Sequence, residues 1–254
     1  MDKRQREARR HQEDIALQRG LLWVAGAAIL EGLLVLVNRF YINYAIPDGI
    51  DLAYGFHYAL RGLRIAGPIL ALLALAWAVI RQWKGGKTAL PLIVAIASGA
   101  VGICAHVAFK LQEVGISMLF WLVIAWAVLA MVYYIYQREF FLSAAGVGMS
   151  ILGLWFVRFG GGAGLEAALC LAGIVLLTIA VLWLKKNDGM LPGKEPSPFL
   201  AKDAAYNAVM ISCLAGIAAL GVALVLGSAA AYYLIFAMLA WMFALFVYYT
   251  VKLM

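Results

Sequence analysis

Eight long windows of the chain are almost continuously apolar, with short polar or basic stretches between them: residues 20–41, 65–83, 88–109, 114–136, 140–157, 165–184, 204–226 and 229–251. An α-helix crosses a hydrocarbon core of about 30 Å with roughly 20 apolar residues, so each window is long enough to span. Strands of a membrane barrel would alternate apolar and polar positions over about ten residues, a pattern these windows lack. The pattern predicts an all-α integral membrane protein with eight transmembrane helices.

Composition points the same way. Hydrophobic residues make up 66% of the 254-residue chain and charged residues 13%, whereas a soluble domain carries about 25% charged residues. These values exclude an ordinary soluble enzyme, a nucleic-acid binder and a disordered chain. The net charge of +7 is unevenly spread. With the N-terminus in the cytoplasm, all of the 20 lysines and arginines except Arg39, Arg61, Arg64, Lys110 and Arg158 fall on the cytoplasmic side, as the positive-inside rule requires. Both termini are therefore expected in the cytoplasm, and the basic tail, residues 1–19, is expected beside anionic headgroups. The first window contains Glu31 and no evident small-residue cleavage site, so it should remain as an anchor. A prokaryotic plasma membrane is the default location. Cys104, Cys170 and Cys213 fall in different windows, where thiols serve as small hydrophobes; no disulfide or metal site is expected of them.

Sliding the sequence along itself exposes a duplication. A shift of 119 aligns Gln18 with Gln137, Arg19 with Arg138, Ala25 with Ala144, Leu33 with Leu152, Arg39 with Arg158 and Phe40 with Phe159. A shift of 106 pairs Ala66, Gly67, Leu70, Ala74 and Trp77 with Ala172, Gly173, Leu176, Ala180 and Trp183. A shift of 115 pairs Lys87 with Lys202, and Leu119, Ala125, Trp126, Val132, Tyr133 and Tyr134 with Leu234, Ala240, Trp241, Val247, Tyr248 and Tyr249. The expected architecture is two parallel four-helix repeats, 20–137 and 138–254, related by an axis along the membrane normal. The first repeat carries an external insertion, 41–64, and the second a cytoplasmic loop, 185–203. The insertion holds a Pro47-Asp48-Gly49 turn followed by Tyr54, Phe56, Tyr58, Arg61 and Arg64, a composition suited to a short interfacial helix.

A few residues are costly in a bilayer. Glu31 falls near the middle of the first span, where a carboxylate costs several kcal/mol unless paired or protonated. It reads either as a proton or cation site or as a hydrogen-bonded fastener between helices. Arg39 and Arg158 occupy equivalent outer positions in the two repeats, and two guanidiniums around one axis suit a phosphate or carboxylate. Arg61, Arg64 and Lys110 lie on the same side; snorkelling to outer headgroups is the plainer alternative. His106, Lys110 and Glu113 follow an i, i+4, i+7 stripe that would share one helix face. His106 and His57 form no metal or haem signature, and no cofactor is expected. The tyrosine pairs at 133/134 and 248/249 suit an aromatic belt, and Ala215, Ala219, Ala223 and Gly227 suit close helix packing. Gly146 and Gly148 suit close packing or local deformation.

Three functions fit these residues. The first is a transporter or lipid-handling protein that binds an anionic group between the repeats near the outer side, with Arg39, Arg158, Arg61, Arg64, Lys110 and His106 as ligand-binding residues and Glu31 as a proton or cation site. The second is a non-catalytic subunit or scaffold bound to a membrane-protein partner. The third, an intramembrane enzyme for a lipid-linked substrate, lacks any convergent Ser/His, paired Asp, metal or nucleotide constellation, so no catalytic residue is assigned. Membrane lipids are the expected partners and nucleic acid is not. Architecture alone does not choose among these functions.

Overall fold

A computed structural model describes residues 3–43, 49–83, 86, 88–160, 164–191, 197–198, 200 and 205–253. The elements run α1 (Lys3–Val37), a π-helical turn (Asn38–Ile42), α2 (Gly49–Trp83), α3 (Ala89–Ile135), α4 (Arg138–Phe159), α5 (Gly164–Lys186), β1 (Met190–Leu191), β2 (Ser197–Pro198), α6 (Tyr206–Leu226) and α7 (Ser228–Leu253). The protein is helical almost throughout, and seven helices among the described residues are long and apolar enough to cross a membrane. The only strands among these residues are the two-residue pair β1 and β2, antiparallel with Met190 opposite Pro198. They lie in the loop 185–203.

Two elements are longer than the apolar windows they contain. The basic tail is helical from Lys3 and runs into the first window without a break. Residues 51–64, expected to form a separate short helix, are instead the N-terminal part of the 35-residue α2. No proline interrupts that stretch, and Asp51 in the first turn complements the positive end of the helix dipole. Pro47 and Asp48 lie outside the described residues.

The 47-residue α3 has non-helical geometry at Gln112, with φ 47° and ψ −122°. A Cβ on Gly115 would stand 2.5 Å from the carbonyl oxygen of Val107, whereas eight residues of unbroken helix would advance about 12 Å. The chain therefore turns back on itself at Gln112, and only glycine fits at 115. The stripe expected over His106, Lys110 and Glu113 is divided by this turn: His106 and Lys110 stay on one helical stretch, and Glu113 begins the next.

The chain separates into two compact units, one formed by Met1–Val24 with Ala127–Met254 and the other by Ala25–Trp126. The first unit is built around α4, which packs against α5, α6 and α7. Its inward face carries Phe140, Ser143, Ala144, Val147, Ser150 and Leu154 at helical spacing, all buried. Where α4 meets α6 the residues are small: a Cβ on Gly146 would stand 3.2 Å from the Cys213 sulfur, while Gly148 faces open space. Ala219 and Ala223 are buried on α6, as small-residue packing requires, but Gly227 ends the helix at φ 81° and ψ −163°, a conformation open essentially to glycine. Four buried serine and threonine hydroxyls are satisfied within their own helices: Ser143, Ser150, Thr178 and Ser212 each donate to the carbonyl four residues back, at 3.1, 2.9, 2.7 and 2.8 Å.

In the second unit α2 and α3 touch backbone to backbone. A Cβ on Gly67 would stand 2.5 Å from the Cα of Gly102, and one on Gly102 would stand 2.7 Å from Cδ of Pro68. Pro68, within α2, thus lies against a neighbour whose lack of a side chain makes room for its ring.

Candidate functional site

A cavity of about 410 Å³ opens in the second unit, where two irregular turns meet the start of α2. The π-helical turn contributes Tyr41 and Ile42, and the turn in α3 contributes Gln112 and Glu113. The first three turns of α2 supply Ile50, Ala53, Tyr54 and His57. The spacing i, i+3, i+4, i+7 puts those four on one helix face. The phenolic oxygen of Tyr41 is 3.4 Å from His57 Nδ1. Gln112 holds a backbone conformation that side-chain-bearing residues rarely adopt, at a cost of about 1–3 kcal/mol, and this turn brings Glu113 to the cavity wall.

His57 links the cavity to a cation. Its ring lies 4.9 Å from that of Phe109, centroid to centroid, and the Arg64 guanidinium lies 5.4 Å from the Phe109 centroid. Arg64 is half-buried, and Arg61, almost one turn earlier, is exposed. The cavity wall thus carries two phenols, an imidazole, an amide and a carboxylate, with a guanidinium beyond one intervening ring.

The other residues singled out in the sequence are dispersed. Arg39 is exposed on the π-helical turn, with its guanidinium 5.9 Å from the Phe40 centroid. Arg158, in the other unit, is exposed and repeats that arrangement over Phe159 at 5.7 Å. It also donates to Ser228 Oγ at 3.2 Å and lies 5.6 Å from the Tyr232 centroid. His106 is half-buried and Lys110 exposed, and neither lines the cavity. Glu31 is half-buried, and its Oε1 is enclosed with no hydrogen-bond partner among the described residues. No group of three potential metal ligands converges among the described residues.

Two groups escaped sequence reasoning. Gln112 gave only a weak signal, a polar gap at 110–113 between two apolar windows. Glu139 gave none, yet it is buried in the first unit: its Oε2 accepts from the backbone N–H of Ala205 at 2.8 Å and from Lys252 Nζ at 3.3 Å. Ala205 is the residue before α6, so the carboxylate caps that helix and complements its dipole. No family model, curated protein or solved structure matches this chain.

Proposed function

We propose that the protein is a multi-pass membrane protein that binds the anionic part of a lipid or small ligand at its outer side, as a lipid-handling protein or transporter. The observation that carries the reading is the polar cavity with the Arg64 guanidinium one aromatic ring behind its His57 wall. Arg64 supplies a phosphate-matching guanidinium, with Arg61 near it in sequence. Arg39 and Arg158 belong to the same proposal as further anion-binding residues, and the like stacking of each on its following phenylalanine supports the duplication.

The return of the chain at Gln112 supports eight crossings in place of seven, since α3 then serves as two spans of ordinary length. Eight crossings put both termini on one side, and the distribution of lysine and arginine makes that side the cytoplasm. A subunit role is the second reading. Its support is two open small positions on α1, Gly26 and Gly32, which have nothing within 4 Å of the place a Cβ would occupy.

Native mass spectrometry of the gently extracted protein tests both readings. Wild type is compared with Arg64→Gln and with the double variant Arg39→Gln/Arg158→Gln. Loss of a co-purifying phospholipid or anion in either variant supports the ligand-binding reading. A stoichiometric protein partner, retained in both variants with no lipid or anion lost, replaces it with the subunit reading.

A further inference from the structure

Among the described residues the cavity wall carries no arginine or lysine, and its charged residue is Glu113. Charge therefore decides what can enter. A like charge about 4 Å from a carboxylate is disfavoured by about 1 kcal/mol in water and by about 4 kcal/mol at the effective dielectric of a protein surface, and an opposite charge gains as much. The rings of Tyr41 and Tyr54 add negative π-faces, which attract an ammonium and repel an anion. An anionic group belongs outside the cavity, at Arg64, and the cavity suits the opposite sign.

We propose that the cavity takes an organic ammonium group, held by Glu113 and the tyrosine rings, while the phosphate of the same zwitterion lies toward Arg64. This rests on the phosphate reading above and adds the ligand class: a phosphate joined through a short carbon linker to an amine. The arrangement of charges matches that class. Glu113 and His57 both line the cavity, and behind His57 stand the Phe109 ring, 4.9 Å away, and the Arg64 guanidinium, 5.4 Å from that ring. The Arg64 guanidinium is thus set apart from the cavity by the His57 and Phe109 rings, and His57 is in hydrogen-bonding reach of Tyr41 on the same wall. Such a zwitterion occurs as a phospholipid headgroup and as a free phosphoamine.

The test uses the full chain in nanodiscs made from equal amounts of phosphatidylethanolamine and phosphatidylglycerol, with retained lipid read by native mass spectrometry. Wild type is expected to retain the ethanolamine lipid at least tenfold over the glycerol lipid. Glu113→Gln and Tyr54→Leu change exposed side chains, and each is expected to bring that ratio toward one through loss of the ethanolamine lipid, with the retained glycerol lipid unchanged. Arg64→Gln is expected to lower both lipids together. An unchanged ratio in Glu113→Gln overturns the ammonium assignment even if Arg64→Gln loses lipid, and retention of both lipids by Arg64→Gln overturns the phosphate reading instead. Free phosphoethanolamine separates the two sources. Displacement of lipid at millimolar concentration identifies a soluble zwitterion as able to fill the site, and selective lipid retention without displacement identifies the lipid.

Discussion

Lys252 Nζ lies 3.3 Å from Glu139 Oε2, joining the last turn of α7 to the first turn of α4 through a carboxylate whose side chain is only 8% exposed. The same oxygen accepts the Ala205 N–H, so one buried atom fastens the ends of three helices. Removing the Glu139 carboxylate breaks both bonds and leaves the Ala205 N–H and the start of α6 uncapped, whereas losing Lys252, whose side chain is already 34% exposed, breaks one and leaves the carboxylate its Ala205 N–H.

Glu139→Ala is therefore expected to destabilise the protein more than Lys252→Met, by about 1–3 kcal/mol against about 1 kcal/mol or less. The double variant should cost less than the two losses combined, because both remove one interaction. Thermal unfolding in a mild detergent, with all three variants side by side, measures this. Equal effects of the single variants would show that the carboxylate is not the anchor.

Gln112→Gly should stabilise the protein by about 1 kcal/mol by relieving the positive φ, while Gln112→Ala should give no gain because alanine keeps its Cβ. Denaturation in mixed micelles compares the two.

Gly67→Ala should be strongly destabilising, since the new methyl would meet the backbone at Gly102, which no rotamer change can clear. Gly148→Ala, facing open space within α4, should be neutral or stabilising by about 0.5–1 kcal/mol through reduced chain entropy. Equal responses would mean that α2 and α3 are not in backbone contact.

The reversal at Gln112 is tested by labelling single cysteines with a membrane-impermeant maleimide, after replacing Cys104, Cys170 and Cys213. Gln112→Cys and Gly160→Cys should react from outside intact cells, and Gly86→Cys only after permeabilisation. A Gln112→Cys protein that reacts from neither side would place that residue in hydrocarbon and return α3 to one crossing.

The apolar windows were legible because length and hydrophobicity alone decide whether a helix can span, without reference to packing. Turns within α3 were harder to read. Residue 112 is glutamine where a positive φ would normally announce itself as glycine, and the glycine that the turn requires stands three residues later. The cavity was less legible still, since its wall combines a π-helical turn with a helix that had been expected to begin as a separate piece. Tyr54, His57 and Glu113 were each visible in the sequence, but their common wall was not. Glu139 was invisible because its partners lie 66 and 113 residues away.

The two polar links between α4 and α7 also act as a gauge of length. Glu139 meets Lys252 near the start of α4, and Arg158 meets Ser228 near its end. Along α4, at 1.5 Å per residue, the two are about 28 Å apart, close to the thickness of a bilayer's hydrocarbon core. The helix between them buries apolar or self-satisfied side chains, so this antiparallel pair has a polar rim at each end and an oily middle of fixed height. A markedly thicker bilayer would draw one rim into the acyl chains, and a thinner one would expose apolar surface to water. The pair therefore favours a membrane of matching thickness, and hydrophobic mismatch, more than any loop, would strain this half of the protein.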